Sequence, residues 1–201
     1  MGTAYLTIIV LDGEIKASQY GNWDGDPCTN GAELLKLLLI DRKKEIPTHL
    51  NRIVPLDDAE YQKFFKNGIL DEDALEKGHP KFWWRDGKDL LEKLLTDGAD
   101  IEIHNQVGMV NNSLLCDWAY VIDYDKNTFE VYRGFVKEPL SDAERFYNGG
   151  YVHENGYYPI RCTAIYSLDQ LPSLAEFKSY DYENSYPYQD EQPVEQIEQN
   201  M

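Results

Sequence analysis

Residues Tyr5-Leu6-Thr7-Ile8-Ile9-Val10-Leu11 are rich in β-branched and aromatic side chains and are apolar at odd and even positions alike. Successive side chains of a strand point to opposite faces, so a run without alternation needs cover on both sides and belongs at the centre of a sheet. Asp12-Gly13 follows, the two-residue signature of a type I′ hairpin, and Glu14 to Tyr20 reads as a second strand, more polar and therefore peripheral. The opening commits the chain to a sheet with further layers packed on both of its faces.

The middle of the chain is helical in period. Ala32-Glu33-Leu34-Leu35-Lys36-Leu37-Leu38-Leu39-Ile40 is apolar on nearly every side and reads as a buried helix, with Asn30 as N-cap and Glu33 three residues on reaching back to the cap amide. Arg42, Lys43 and Lys44 stand against the negative end of its dipole. Asp57 and Glu60 open a second helix carrying Tyr61, Phe64 and Phe65, stopped by Asn67-Gly68. A short helical piece covers residues 72–77, Phe82-Trp83-Trp84 form an aromatic cluster, and Asp86 caps a helix with Leu90, Leu91, Leu94 and Leu95 at helical spacing.

The second half returns to strands. Ile101 and Ile103 alternate, and Trp118 to Tyr124, Asp125 to Asn127 and Thr128 to Gly134 read as a strand, a turn and a strand. Residues 135–158 form a long loop with Gly149, Gly150 and Gly156; residues 161–166 are a late strand and 173–177 a closing helix. The expected architecture is a single α+β domain over residues 1–178, its mostly antiparallel sheet joining the N- and C-terminal hairpins, with the helical block packed on it. Residues 179–201 are expected to be a flexible tail: they hold six acidic residues, four tyrosines and no Lys or Arg.

Charge restricts function. Thirty-six acidic residues against 19 basic ones give −17, and removing the tail's six acids leaves −11 on the body. Such a surface repels nucleic-acid phosphates and anionic membranes, and it favours docking on a basic protein surface. Cys28, Cys116 and Cys162 are scattered, without a CxxC pair or zinc spacing, as reduced cytoplasmic thiols are. No signal peptide, membrane span or cofactor is expected.

Gln19-Tyr20-Gly21-Asn22-Trp23-Asp24-Gly25, the Met1-Gly2-Thr3 start, the Asp12-Gly13 turn and Cys116-Asp117-Trp118-Ala119-Tyr120-Val121-Ile122-Asp123 together resemble a family of uncharacterised proteins from phages, bacteria and fungi with a QYGxWDG turn. The resemblance covers residues 1 to about 177 and implies no particular activity. Asp26-Pro27-Cys28-Thr29-Asn30-Gly31 stands where that family more often has Tyr-Pro-x-Gly-Gln-Gly.

The turn from Gln19 to Gly31 concentrates the candidate binding residues: Tyr20, Trp23, Asp24, Asp26, Cys28 and Asn30, to which the aromatic cluster adds Trp83 and Trp84. Asp24, Asp26 and Asn30 could offer oxygens to a hard cation, but a calcium loop's bidentate Glu is missing and aspartate in such a turn more commonly bonds its own backbone. Phosphate binding lacks a GxxxxGK[ST] or GxGxxG pattern. A thiolate at Cys28 would sit beside two aspartates that oppose its ionisation. Trp23, Trp83 and Trp84 are candidate anchors of a protein interface. The favoured reading is an acidic interaction protein, phage-encoded, that binds and modulates or inhibits a basic host protein; the alternative is a small hydrolase or ligand-binding enzyme with its site at the Gln19–Gly31 turn.

Overall fold

The computed structural model describes residues 2–41, 44–57, 59, 65–66, 69–70, 87–96 and 98–187. In chain order the elements are β1 (Tyr5–Leu11), β2 (Glu14–Gly21), a π-helical turn (Pro27–Gly31) running into α1 (Ala32–Ile40), α2 (Glu45–His49), a 3-10 turn (Leu50–Arg52), β3 (Ile53–Pro55), β4 (Phe65–Lys66) and β5 (Ile69–Leu70). There follow α3 (Gly87–Thr96), β6 (Ile101–Ile103), a second 3-10 turn (Val107–Asn111), β7 (Trp118–Asp123), β8 (Thr128–Arg133), β9 (Arg161–Ser167) and α4 (Leu174–Ser179).

The main sheet has five strands in the order β2-β1-β7-β8-β9. Only the central β1–β7 pairing is parallel; the hairpins β1–β2 and β7–β8 and the β8–β9 pair are antiparallel. The fold is therefore α+β, with the N- and C-terminal hairpins joined in one sheet. At the first hairpin Asp12 (φ 57°) and Gly13 (φ 72°) both take the left-handed conformation that a type I′ turn requires. Their amides donate to the two carboxylate oxygens of Asp125, each at 2.8 Å, which clips this turn to the β7–β8 turn.

The unbroken apolar run of β1 divides between two cores. Tyr5 and Ile9 face the helical side, with Tyr120, Phe129, Leu34 and Leu35 of α1, Leu90, Leu91 and Leu94 of α3, and Phe177 of α4. Leu6, Ile8 and Val10 face the other side, with Ala119, Val121, Tyr132, Val110 and Ile160. Each core excludes water from one set of alternate side chains, the requirement that the sequence of β1 imposes.

Among the described residues no α-helix covers the second face; the 3-10 turn Val107–Asn111 and loop segments do, and an ion cluster fastens them. Arg145 donates to Asp123 (2.5 Å) and to both carboxylate oxygens of Glu130 (2.7 and 2.9 Å). Glu130 also accepts from the Tyr132 hydroxyl at 2.6 Å and from Thr128 at 2.8 Å. Glu144, only 3% exposed, accepts from the Ser141 amide and the Tyr186 hydroxyl. Burial works against the charge of Asp123, but the Lys126 amide and the Arg145 guanidinium outweigh it and hold this carboxyl below its ordinary value.

Several local expectations change. Asn30 does not cap α1: the residue ahead of the helix is Gly31, in helical conformation and without a side-chain cap bond, because the preceding π-helical turn already runs into α1. The capping side chain is Asp26, which accepts the Cys28 amide at 2.9 Å at the start of that turn. Lys44, in left-handed conformation (φ 52°), pairs with Asp169 at 2.8 Å, while Arg42 and Lys43 lie outside the described residues. Phe65–Lys66 pair antiparallel with Ile69–Leu70, so Phe65 belongs to a hairpin rather than to a helix. β3, unforeseen, pairs in parallel with the foreseen β6. The aromatic cluster with Trp83 and Trp84, and the helix of residues 72–77, lie outside the described residues.

Packing continues past residue 178. Tyr182 is buried and meets Trp118, Phe177 and Tyr180 ring to ring, and its hydroxyl donates to the Phe177 carbonyl at 3.0 Å. The beginning of the acidic segment is therefore part of the body.

Arg145→Met leaves two buried carboxylates without their cation and is expected to lower unfolding free energy by about 3–5 kcal/mol in a urea titration. Because the folded-state value of Asp123 is depressed, its contribution is complete above the unfolded-state value near pH 4 and is lost as the pH falls through the folded one. Asp123→Asn should accordingly flatten the stability–pH profile below about pH 4 and leave its slope above about pH 6 unchanged.

Candidate functional site

One end of the sheet gathers most of the residues singled out in the sequence. Gly21 faces Tyr5, Tyr5 faces Trp118, Trp118 faces Arg133 and Arg133 faces Arg161, a row that crosses all five strands. Beyond that row lie residues 2–4, the 22–31 turn, the 112–117 loop and the 134–138 segment.

The turn is built around two aromatic rings. A Cβ on Gly21 would lie 2.4 Å from the Tyr5 ring, one on Gly25 2.6 Å from it, and one on Gly31 2.7 Å from the Tyr120 ring. The Tyr120 hydroxyl donates to the Gly25 carbonyl at 2.7 Å. Burial first, and then the nearby Asp26, push the Tyr120 phenol well above its ordinary value, so it stays a neutral donor. Glycine is required here by close approach of these rings, a steric demand.

Backbone and side-chain hydrogen bonds close the turn on itself. Asp24, at φ 53°, offers its carbonyl to the Asn30 amide at 3.0 Å. Asp26 accepts the Cys28 amide and, at 2.5 Å, the Thr29 hydroxyl. Cys28 is exposed, and its thiol lies 3.6 Å from the Lys178 carbonyl of α4. Asn30 is 5% exposed, its amide nitrogen and oxygen both buried and without hydrogen-bond partners. Asp26 is thus engaged within the turn and Asn30 is enclosed, and no group of three His, Cys, Asp or Glu side chains that could hold a metal ion occurs among the described residues.

This end also presents apolar side chains outward. Trp23 is 56% exposed, its ring lying against Gly2, and Leu115 is 50% exposed with Leu114 beside it. Tyr20 is half-buried and donates its hydroxyl to the Leu115 carbonyl at 3.1 Å. Asp117 fixes the N-terminal segment by accepting the Ala4 amide at 2.7 Å. Further along the row Phe135 is 52% exposed at φ 58°, held there because the Gly134 amide donates to the Asp117 carbonyl and the Phe135 amide to that of Ser113. Gly134 fits only without a Cβ, which would lie 2.1 Å from the Cys116 carbonyl oxygen.

Sequence reasoning singled out Tyr20 and Trp23 but not Leu115, Phe135 or the facing pair Arg133 and Arg161. Leu114-Leu115 and Phe135 look like ordinary core residues in sequence, and the arginines meet only through the β8–β9 register. A comparison of the chain with protein-family models, characterised proteins and solved structures finds no match.

Asp26→Ala removes the cap of the π-helical turn and is expected to cost about 1–2 kcal/mol of unfolding free energy. Cys28→Ala, which removes an exposed thiol, should stay within about 0.5 kcal/mol in the same chemical denaturation.

Proposed function

We propose that the chain is an acidic interaction protein that docks the Trp23–Leu115 end of its sheet onto a basic surface of another protein and so modulates or blocks that partner. The observation that carries this reading is the exposure of Trp23 and Leu115 on loops held by inward bonds, on a chain of net charge −17. Two large apolar side chains there supply the desolvated centre of an interface, and Asp24 and Asp117 flank them with negative charge. Net charge of one sign accelerates encounter with an oppositely charged surface. The resemblance of the Gln19–Gly25 motif to a family from phages, bacteria and fungi is the ground for taking the partner to be a host protein of the cytoplasm.

The enzymatic reading of the Gln19–Gly31 turn gains nothing from the geometry. Its carboxylate at Asp26 caps backbone, Asn30 is enclosed, and the Cys28 thiol is directed at the Lys178 carbonyl.

Immobilised protein is expected to retain a stoichiometric, identified basic partner from bacterial lysate at about 0.1 M salt and to release it by about 0.5 M, as screening shortens the reach of surface charge. Leu115→Glu and Trp23→Ala should each abolish retention with the fold intact by circular dichroism. An acidic partner, retention indifferent to salt, or retention by both variants would overturn the proposal.

A further inference from the structure

A cavity of about 550 Å³ opens beside Phe135, lined by Arg133, Phe135, Lys137, Arg161, Thr163 and Tyr186. Arg133 and Arg161 face each other directly across the β8–β9 pair. Like charges in that relation repel, and a chain with 36 acidic residues has ample means to neutralise them. Their direct hydrogen bonds go to neutral acceptors. Arg133 donates to the Glu183 carbonyl, and Arg161 to the carbonyls of Glu138 at 3.2 Å and Pro139 at 2.6 Å. Arg161 also forms ion pairs with the carboxylates of Glu144 at 3.5 Å, through Nε, and of Glu138 at 3.8 Å, although the buried Nε makes no hydrogen bond. Lys137 lies 3.3 Å above the Tyr157 ring and has no carboxylate partner among the described residues.

Three cations thus line one cavity, the two arginines hydrogen-bonded to uncharged carbonyl oxygens and Lys137 set over an aromatic ring. Glu138 and Glu183 also line it, Glu138 with its side chain 83% exposed at the rim. Phe135 brings a half-exposed ring to the same wall, in a left-handed conformation that costs a non-glycine residue about 1–2 kcal/mol and that glycine would adopt without strain. Strain of this kind at a cavity wall points to a ring kept for what it touches. Across the cavity the Arg161 guanidinium lies over the Tyr186 ring, 5.3 Å from its centroid.

We propose that this cavity is a binding site, separate from the docking surface, for a small phosphate-bearing ligand with a planar ring, of mononucleotide size. Guanidinium forks match phosphate oxygens two at a time, and Lys137 adds a point charge for a polyanionic group. The Phe135 ring supplies a stacking platform for the planar part. The volume lies within the range of pockets that enclose such ligands.

The test is isothermal titration of the full chain with ADP, with adenosine and citrate as comparisons. ADP is expected to bind measurably and the other two at least about tenfold more weakly, adenosine because it lacks the charge-assisted hydrogen bonds to phosphate and citrate because it has no ring to stack on Phe135. Lys137→Gln and Arg133→Gln should each weaken ADP at least about tenfold by the same argument, while Trp23→Ala leaves ADP affinity unchanged. The last variant separates this site from the docking surface, whose loss it should cause. Should Arg133→Gln fail to fold, Lys137→Gln decides, since among the described residues that amino group rests on an aromatic face alone. Absence of ADP binding at millimolar concentration, adenosine or citrate binding as tightly as ADP, or affinity indifferent to Lys137→Gln would overturn the assignment.

Discussion

The contact of two tyrosine rings with three glycines holds the N-terminal half of this structure together. Tyr5 of β1 lies against Gly21 and Gly25, and Tyr120 of β7 lies against Gly31 while donating to the Gly25 carbonyl. Because β1 and β7 are neighbours in the sheet, the two rings form one wall, and the 22–31 turn closes down onto it with no room for a Cβ at the points of contact. That closure delivers the chain to the π-helical turn and α1 at the right height, and it leaves Trp23 outside the wall. A motif dense in glycine, aromatic and aspartate residues, which looks like a site in sequence, is here mainly a joint.

The opposite face of the sheet depends on charge. A face covered by loops buries backbone polar groups that helices would satisfy internally. Arg145 offsets this by drawing Asp123 and Glu130 into one cluster, which draws in Tyr132 and Thr128. Such a cluster costs desolvation and gives a unique position to a segment that has no periodic structure of its own. The 134–138 segment, anchored at Gly134 and Val136, then has a defined course along the end of the sheet.

Much of the fold was legible from side-chain period. β1, β2, β7, β8, β9, α1 and α3 follow from runs whose burial the sequence pattern demands, and Asp12-Gly13 and Asp125 to Asn127 mark their turns. What escaped was whatever rests on register or on a third partner. Asn30 and Glu33 match a capping pair by spacing, yet a preceding π-helical turn moves the cap to Asp26. β3 is three residues long and exists only because β6 lies beside it. The tail's composition masks Tyr182, one ring that fits the gap between Trp118 and Phe177. Of the candidate site, Trp23 and Tyr20 were visible as aromatic residues in a turn, while Leu115 and the Arg133–Arg161 pair are defined by contacts far apart in sequence.

The parallel β1–β7 pairing sets a timetable for synthesis. Ala4 and Asp117, bonded to each other, are 113 residues apart. At ribosomal rates of about 5–20 residues per second, the β1–β2 hairpin waits roughly 5–20 seconds for the strand that completes it. During that interval the apolar edge of β1 is an open template for other nascent chains. The acidic character of the translated sequence then acts before the fold exists, as mutual repulsion that keeps neighbouring hairpins from pairing with one another.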